Sequence, residues 1–486
     1  MKPIALLLLS FLCFQAAAQE ADQPNDFLTK PFFNERRMKL REKLPVNSVA
    51  VFFANPVRNR ANDVDYAYHQ DPDFYYLTGY KEPDAVLLVF KEKQTSNNGA
   101  QYDEIIFVQP RSEQAEMWTG RRLGDKGVKE RLGLDQAFNN SEFKRYNVDF
   151  TKFASVLFFD FNNDVRNNPR DSSDLYDLIA QFKIKTHYPE KNNSALTIEP
   201  QKNNLDAKSL DPIMDNLRGI KTKEEMEMVR KAVRISCAGQ IEVLKAIKPG
   251  MSEREIEGIH EFVFKKYQAE DLGYPSIVGA GHNGCILHYI DNYKPSVNNK
   301  ELILMDLGAE FHGYTADITR TIPVNGKFSP EQKQIYELVL KAQEEAMKVC
   351  KPGEPFSGLH KAARDVINKG LKELGIIKDE TDKHRYYPHG CCHHIGLDVH
   401  DRGAYEKLEE GMIITIEPGI YIPDNAACDK KWWGIAVRIE DDYLLTKDGY
   451  EHLSVSAPRT VKDIEAIMKL PSALDDFTLP ELEKKN

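Results

Sequence analysis

Residues 301–324 read ELILMDLGAEFHGYTADITRTIPV. An apolar run leads into Asp306, and a second β-rich run leaves through Asp317. Gly308 and Gly313 mark a bend between the two runs, so the segment predicts a β-hairpin. Apolar strand residues flank both carboxylates.

The two carboxylates are symmetric about the point between Phe311 and His312. Regular antiparallel pairing then places Asp306 opposite Asp317, with Cβ atoms about 4.5–5.5 Å apart. Like charges in this position are destabilising, and an unpaired buried carboxylate is costlier still. From the pair alone, two interpretations stay open: binding of a cation, or solvation of both carboxylates at the turn.

A histidine cluster follows in residues 388–403, PHGCCHHIGLDVHDRG. Together with His384, five of the 13 histidines of the chain fall within 384–400, which indicates a function rather than chance. His389 and His393 are four residues apart, but the Glu of the helical H-E-x-x-H zinc motif is absent, which excludes that class of protease. We interpret His384 and His394 as ordinary core or surface histidines.

Two more strand-like segments carry acidic residues: 411–422, GMIITIEPGIYI, and 434–446, GIAVRIEDDYLLT. In the first, Glu417 ends an apolar strand, where an unpaired carboxylate is costly. In the second, the alternation of a strand places Arg438 and Glu440 on the same face. For each segment taken singly, a salt bridge at the end of a strand remains the alternative.

Taken together, the four carboxylates and one imidazole form an oxygen-rich set of candidate ligands. Such a set suits Mn²⁺, with Co²⁺ or Zn²⁺ as substitutes, and four carboxylate charges balance two divalent ions. Two ions that share a water lower its pKa and polarise a substrate carbonyl. The set therefore predicts a hydrolase rather than a redox enzyme.

Four motifs resemble, in this order, those of the pita-bread metallopeptidases, and most closely those of the aminopeptidase P family: MDLGAEFHGYTADITRTIPVNGKFS, HGCCHHIGLDVHDRG, IEPGIYI and VRIEDD. The resemblance includes further segments along the chain: YPSIVGAGHNGCILHY, DVDYAYHQDPDFYYLTGYKEPDAVLLV and EMWTGRRLG. It covers nearly the whole chain beyond residue 18, and the motifs around the acidic residues are highly specific.

The resemblance implies an α/β (α+β) chain with two domains. A creatinase-like N-terminal α/β domain is expected at 32–200, and a pseudo-twofold pita-bread catalytic domain at 215–468. By motif position, the resemblance implies five metal ligands: Asp306, Asp317, His393, Glu417 and Glu440.

The resemblance also implies roles for the residues around the ions. Glu417 takes the proton of the attacking water and returns it to the proline nitrogen. His288 and His400 donate hydrogen bonds to the carbonyl oxygen as it gains charge. His389 lines the proline pocket, and Arg438 orients Glu440 or the substrate through charge-assisted hydrogen bonds.

The implied activity is the release of the N-terminal residue from peptides that have proline in the second position. A prolidase, which cleaves Xaa-Pro dipeptides, is the first alternative, although EMWTGRRLG and the spacing of Glu417 and Glu440 favour the aminopeptidase. A secreted peptide-binding protein without catalysis is the second, and the intact ligands disfavour it. A homodimer or homotetramer is expected, with Trp118 as a candidate contact to a neighbouring site.

The chain departs from the family at Cys392, where a Ser commonly precedes the ligand histidine, and Cys391 comes before it. We interpret both as small buried residues. If either thiol bound a metal, the preference would shift toward Zn²⁺.

The N-terminus predicts a secretory signal peptide over residues 1–18, with Lys2, an apolar run over 4–14 and small residues before the cleavage site. The run is about half as long as the roughly 20 residues that span a bilayer, so we expect cleavage rather than a membrane anchor. The mature protein is then secreted, to the periplasm or outside the cell. Residues 471–486 are expected to form a disordered tail.

The composition of the chain argues against two further classes of protein, nucleic-acid-binding proteins and disulfide-rich scaffolds. The 486 residues carry a formal charge of −10, which provides no basic field for nucleic acid. Only six of the seven cysteines lie beyond the signal peptide, too few for a disulfide scaffold, so stability has to come from the hydrophobic core.

Overall fold

The computed structural model describes three stretches of the chain: residues 26–96, 99–189 and 204–479. The predicted signal peptide and residues 480–486 of the predicted tail lie outside them. Within these stretches, none of the helices combines the length and the apolar character that crossing a bilayer requires. The described residues form two compact units, of which the first contains 26–41, 51–152 and 162–189, and the second 42–50, 153–161 and 204–479.

The first unit contains short helices and a mixed sheet. Its helices are α1 (Lys30–Lys43), α2 (Pro72–Thr78), α3 (Glu113–Thr119), α4 (Gly124–Gly127) and α5 (Leu175–Lys185). Its strands are β1 (Ser48–Phe53, which begins in residues of the second unit), β2 (Asn59–Ala61), β3 (Val64–Asp65), β4 (Val86–Thr95), β5 (Gln101–Val108) and β6 (Ala137–Asn139). Within this unit, the strands of the sheet lie in the order β6-β5-β4-β1, with β4 and β5 antiparallel and β5 and β6 parallel. This arrangement confirms the predicted α/β class.

The second unit carries most of the chain. Its helices are α6 (Leu210–Gly219), α7 (Lys223–Ala246), α8 (Glu253–Lys266), α9 (Pro330–Val349), α10 (Phe356–Glu373) and α11 (Val461–Ile467). Its strands before α9 are β7 (Ser155–Phe158), β8 (Leu205–Asp206), β9 (Asp271–Leu272), β10 (Ile277–Ala280), β11 (Leu302–Leu307), β12 (Ala309–Phe311), β13 (Tyr314–Thr315) and β14 (Ile318–Pro323). The remaining strands are β15 (Ile413–Ile416), β16 (Gly419–Ile422), β17 (Ile435–Arg438), β18 (Asp441–Thr446) and β19 (Gly449–His452).

The order of two long helices followed by an antiparallel sheet occurs twice in the second unit. Helices α7 and α8 precede the sheet β10-β11-β14, and α9 and α10 precede the sheet β15-β18-β19. The first helix of each pair begins with a capping box, formed by Thr222 and Glu225 in α7 and by Ser329 and Gln332 in α9. The repetition agrees with the pseudo-twofold catalytic domain that the resemblance implies.

A buried glutamine on the first helix of each half binds the strands that carry the acidic residues. Gln240 of α7 donates from Nε2 to the backbone carbonyls of Met305, at 3.3 Å, and Ile318, at 2.7 Å. Gln343 of α9 donates to the carbonyls of the residues before the two predicted glutamate ligands, at 3.1 and 3.3 Å. Each helix thereby fixes the ends of the strands from which one pair of carboxylates projects.

The hairpin predicted for residues 301–324 is present, but its turn lies one residue later than symmetric pairing of the aspartates requires. Phe311 pairs with Tyr314, so the turn consists of His312 and Gly313, whose φ angles are 51° and 86°. A two-residue turn with two positive φ angles is the type I′ turn, whose twist matches that of the flanking strands.

The prediction that Asp306 and Asp317 lie directly opposite each other is therefore wrong. Asp306 pairs with Thr319, and Asp317 lies on the diagonal, two residues away along the other strand. Because moving the turn by one residue moves the pairing by two, both aspartates still project from the same face. Diagonal neighbours are about 7–8 Å apart, so their carboxylates can reach a common partner.

The close approach of the hairpin strands at Gly308 leads to a prediction about stability. A Cβ at Gly308 would collide with the carbonyl oxygen of Ala316 and lie 2.6 Å from Cε1 of Tyr274. We expect Gly308→Ala to lower the free energy of unfolding by about 3 kcal/mol, because neither the backbone nor the ring can move away freely. Urea unfolding of the purified variant measures this loss.

Gly258, in the middle of α8, provides the matched control, since a Cβ there meets no atom within 4 Å. Gly258→Ala is expected to raise the free energy of unfolding by about 0.5–1 kcal/mol, because alanine restricts the unfolded chain and favours the helix. Equal effects of the two substitutions would contradict the packing argument.

Candidate metal centre

The first half of the site is the aspartate pair of the hairpin. Asp306 lies near the end of β11, and Asp317 lies just before β14. Both are buried, and the hydroxyl of Tyr274 lies 2.6 Å from Oδ1 of Asp306 and 2.7 Å from Oδ1 of Asp317. Since a phenol has one proton, it donates to one carboxylate at a time, so the two carboxylates share this donor.

The second half of the site surrounds the imidazole of His393. Three carboxylate oxygens lie near its Nε2: Asp317 Oδ2 at 3.4 Å, Glu417 Oε1 at 3.5 Å and Glu440 Oε1 at 3.9 Å. On the other side of the ring, Nδ1 lies 2.9 Å from the backbone oxygen of His394, so Nδ1 carries the proton. The lone pair of Nε2 therefore points toward the carboxylates, as in a histidine that ligates a metal.

Ligand atoms of Asp317, His393 and Glu440 all lie within 4.8 Å of one another, and all three residues are buried. Glu417 joins them through His393, and Asp306 joins them through Tyr274. The structure thus brings together all five residues that the motif positions predicted as ligands.

The electrostatics of the cluster favour a bound cation. Burial, then the neighbouring carboxylates, raise the pKa of Asp317 and of Glu440 well above their ordinary values. Burial also raises the pKa of Glu417, to about 7. Burial opposes the ionisation of Asp306 too, but Arg438 and Tyr274 outweigh it and bring the pKa of that carboxyl below its ordinary value. Three buried carboxyl groups that resist ionisation fit a site for divalent cations, whose charge would remove the penalty.

Arg438 lies closer to Asp306 than to Glu440, the residue that it was predicted to orient. Its Nη2 donates to Oδ2 of Asp306 at 2.6 Å, whereas its Nε lies 3.8 Å from Oε2 of Glu440. Glu440 is held instead by Thr319, whose hydroxyl donates to Oε2 at 2.5 Å. Arg438 therefore orients Asp306 in this structure, and its predicted effect on Glu440 acts over the longer distance.

The predicted proline-pocket residue His389 is connected to this arginine through Tyr421. Arg438 Nη1 donates to the hydroxyl of Tyr421 at 2.9 Å, and the hydroxyl lies 2.8 Å from Nε2 of His389. Nδ1 of His389 donates to the backbone oxygen of Gly390 at 2.6 Å. Nε2 therefore accepts the proton of Tyr421, and burial lowers the pKa of His389 to about 4, which keeps the ring neutral.

The two histidines predicted to contact the substrate carbonyl, His288 and His400, are exposed. The ring of His400 lies 4.4 Å from that of His393, centroid to centroid, at 82°. Burial, and then the neighbouring imidazoles of His393 and His288, lower the pKa of His400. His288 also lowers the pKa of His389, so the three imidazoles lie within electrostatic range of one another.

The other side chains of residues 391–394, those of Cys391, Cys392 and His394, are buried or half-buried. His394 is fully buried, and its Nε2 donates to the backbone oxygen of Ala404 at 2.9 Å, as expected of a core histidine. Both thiols of the cluster are free: Cys391 is buried, as predicted, but Cys392 is only half-buried. Burial raises the pKa of Cys391 to about 12, so it carries a neutral thiol.

Tyr274 and Tyr421 are the residues that the sequence reasoning missed. Tyr274 is the first residue of YPSIVGAGHNGCILHY, and Tyr421 lies in IEPGIYI. Both belong to motifs that carry the resemblance, but neither was assigned a role. A tyrosine in a strand-like segment is ordinarily a packing residue. Only their contacts with the aspartate pair, with Arg438 and with His389 distinguish them.

A buried ion cluster holds the loop that carries His400. Asp401 forms salt bridges with Arg218 and with Lys221, the latter at 2.8 Å, and all three side chains are buried. The backbone N–H of Asp401 donates to the oxygen of His394 at 3.0 Å, which closes the loop. The cluster therefore fixes the path of the chain between His393 and His400.

We expect Asp401→Asn to lower the free energy of unfolding by about 3–5 kcal/mol at pH 7, because two buried cations lose their counter-charge. Burial opposes the ionisation of Asp401, but Arg218 and Lys221 hold its pKa below the ordinary value. A depressed folded-state pKa stabilises the protein above the unfolded pKa, about 4, and this contribution disappears as the pH falls further. The difference between wild type and variant should therefore shrink below pH 4 in urea unfolding.

The surface pair between Asp211 and Arg402, at 2.9 Å, supplies the control for this prediction. Asp211→Asn is expected to change the free energy of unfolding by less than about 1 kcal/mol, because solvent screens an exposed pair. A loss as large as that of Asp401→Asn would contradict the role of burial.

The sequence of the chain is similar to metallopeptidase families and to known aminopeptidases. The family model described as metallopeptidase family M24 matches residues 227–447, and that described as the aminopeptidase P N-terminal domain matches 33–157. The Xaa-Pro aminopeptidase of Haemophilus influenzae is 36% identical over 457 residues, which cover 91% of this chain and 98% of the relative. The Escherichia coli Xaa-Pro aminopeptidase is 34% identical over 453 residues, with 91% and 98% covered.

The fold is also similar to solved structures of aminopeptidase P. The structure of Escherichia coli aminopeptidase P with the inhibitor Pro-Leu superimposes with a TM-score of 0.78 at 31% identity, covering 91% of this chain and 98% of that one. A zinc-substituted form of the same enzyme in complex with product has a TM-score of 0.76 with the same coverage.

Proposed function

From the premise that this chain belongs to the aminopeptidase P family of Xaa-Pro aminopeptidases, which are M24 metallo-hydrolases, we propose that it is a secreted enzyme that uses two divalent ions. Its substrates are peptides with proline in the second position, from which it releases the N-terminal residue. The cluster of buried carboxylates around His393 is the observation that carries the proposal, because bound divalent cations would balance the charge of these carboxylates when they are ionised.

Five residues would hold the ions: Asp306, Asp317, His393, Glu417 and Glu440. When bound, the ions polarise the peptide carbonyl and lower the pKa of the attacking water. The oxygen-rich donor set favours Mn²⁺, with Co²⁺ or Zn²⁺ as substitutes. The zinc-substituted Escherichia coli structure supports Zn²⁺ as a metal that such a site accepts.

Glu417 is the proton carrier of the proposed reaction. It accepts a proton as water attacks the carbonyl before proline, and it returns that proton to the proline nitrogen, which must be protonated to leave. Its position directly after β15, with carboxylate oxygens 3.5 Å from His393 Nε2 and 3.5 Å from His389 Nδ1, supports this assignment, because it faces the ligand cluster and the predicted proline pocket.

The histidines bind the two ends of the reacting peptide bond. His288 and His400 donate hydrogen bonds to the carbonyl oxygen as negative charge develops there. His389, with the rings of Tyr387 and Tyr421 at 5.2 and 5.4 Å, offers an aromatic wall to the proline ring. Arg438 keeps Asp306 ionised and in place.

Hydrolysis of two matched peptides tests the proposed substrate. After removal of metal with EDTA and addition of Mn²⁺, a tripeptide with proline second should release its first residue, and the same tripeptide with alanine second should be a much poorer substrate. Cleavage of the Xaa-Pro dipeptide alone would identify a prolidase. Peptide binding without turnover at any metal loading would identify a binding protein.

Export and assembly are separate parts of the proposal. N-terminal sequencing of the exported protein should find the chain starting close to residue 19, and sedimentation should find a homodimer or homotetramer. Trp118 and Met117 of α3 are each 82% exposed, which supports a contact with a neighbouring subunit rather than a core role. A monomer that begins at Met1 would contradict both parts.

A further inference from the structure

One buried carboxylate, that of Glu253, holds the loop that carries His288. Glu253 is the first residue of α8 and has no exposed surface. Four donors surround its two oxygens: Ala280 N (2.8 Å) and Asn283 Nδ2 (3.0 Å) at Oε1, and the Tyr289 hydroxyl (2.8 Å) and Lys294 N (2.8 Å) at Oε2. An ionised carboxylate has about four lone-pair sites, so these donors use all of them.

The four donors come from both sides of His288 in the sequence. Tyr289 follows it directly, and the other donors lie between residues 280 and 294. A further hydrogen bond, from the backbone N–H of Glu253 to the oxygen of Lys294 at 3.0 Å, ties the end of the loop to the start of α8. The side chain of Glu253 therefore joins the segments before and after His288 to the start of α8.

The loop packs on strands that carry the site. Its 3₁₀ turn, Gly281–Cys285, lies against β10, β11 and β17. The ring of Tyr289 belongs to a buried cluster with Leu304 and Tyr421, and Tyr421 is the phenol that connects Arg438 to His389. None of the five proposed ligand residues lies in this loop, so a displacement of the loop acts first on His288.

We propose that Glu253 is a positioning residue of the reaction, which places the imidazole of His288 at the substrate carbonyl. This inference rests on the proposed function, since that function assigns His288 to the carbonyl oxygen. A donor of this kind has to lie about 2.7–3.1 Å from the developing oxyanion. An exposed imidazole meets this requirement only when the backbone on both sides is held, and the four hydrogen bonds to Glu253 supply that restraint.

The substitution Glu253→Gln tests the proposal because it keeps the shape and removes one acceptor. The amide NH₂ then faces two donors, so at least one hydrogen bond to the loop is lost. We expect kcat to fall about tenfold while KM changes less than about twofold, because a misplaced His288 weakens the transition state rather than substrate binding.

A double-mutant cycle with His288→Ala separates positioning from general damage. If Glu253 acts through His288, Glu253→Gln should lower kcat by less than about twofold in a chain that already lacks this imidazole. Losses that multiply would overturn the proposal. If the wild-type protein fails to cleave proline-second peptides, the proposed function is overturned instead. If wild type and His288→Ala have equal kcat, His288 has no role in the reaction, and the proposal for Glu253 is overturned with it.

Glu225 provides the matched control. It is also a buried glutamate in the first turn of a long helix, and it accepts hydrogen bonds from the backbone N–H of Thr222 at 2.9 Å and the hydroxyl of Tyr314 at 3.2 Å. Glu225→Gln should show no coupling to His288→Ala in the same cycle. Coupling as strong as that of Glu253→Gln would overturn the proposal.

Amide hydrogen exchange gives a readout that does not depend on activity. In metal-free and in Mn²⁺-treated protein alike, Glu253→Gln should speed exchange across residues 280–294, and Glu225→Gln should not. If Glu253→Gln does not fold, Tyr289→Phe removes one of the four donors and should give a smaller change of the same kind. Unchanged exchange in this loop would overturn the proposal.

Discussion

Replacement of Glu417 by glutamine is expected to lower kcat for a proline-second tripeptide by about 10³-fold. The amide cannot accept the proton of the attacking water or return it to the proline nitrogen, so both halves of the proton transfer are lost. The shape of the side chain is unchanged, and the hydrogen bond from the backbone N–H of Glu417 to Cys391, at 2.7 Å, keeps the strand end in place. Steady-state kinetics with saturating Mn²⁺ measures the loss.

Glu410 supplies the control for this result, because it is exposed and precedes the same strand. Glu410→Gln should leave kcat within about twofold of the wild type, as surface substitutions usually do. A Glu417→Gln variant that retains more than about a tenth of the wild-type kcat would show that another group carries the proton.

Replacement of Glu440 by glutamine is expected to have opposite effects on activity and on the stability of the metal-free protein. One ligand charge is lost, so bound metal and kcat should both fall, the latter by about 10²–10³-fold. The metal-free protein should become more stable at pH 7 by at least about 1 kcal/mol, because Glu440 is buried and its pKa lies well above the ordinary value. Metal analysis and urea unfolding of stripped protein measure the two effects.

The sign of this stability change depends on pH. A carboxyl whose folded-state pKa is raised costs stability above the unfolded pKa, and the cost disappears as the pH falls and the group takes up its proton. The advantage of Glu440→Gln over metal-free wild type should therefore shrink between pH 7 and pH 5. A metal-free variant less stable than wild type at pH 7 would contradict the electrostatic account of the site.

How far the site could be predicted from sequence differs from residue to residue. The five ligand positions came from motif positions, and the structure brings all five together. Arg438 was expected to orient Glu440 or the substrate, and in the structure its short hydrogen bond goes to Asp306, because β17 lies beside the hairpin that carries this aspartate. The domain boundaries at 32–200 and 215–468 stay predictions.

The errors have a common physical origin. Symmetry of two aspartates in a sequence does not decide a register, because the turn forms where two residues can adopt positive φ angles. His312 and Gly313 do so, and the partner of Asp306 becomes Thr319. The same limit applies to Tyr274 and Tyr421, whose roles depend on partners that are distant in the chain.

The class of fold, the resemblance to a family and the groups available for chemistry could all be predicted from the sequence, because periodicity, strand patterns and motif spacing are local properties of the chain. Three features are visible only in the folded chain: which carboxylates share a donor, which ring nitrogen of His389 carries the proton, and the hydrogen bonds by which Glu253 holds the loop of His288. Those features depend on distances between side chains far apart in sequence, and such distances exist only once the sheets and helices have packed.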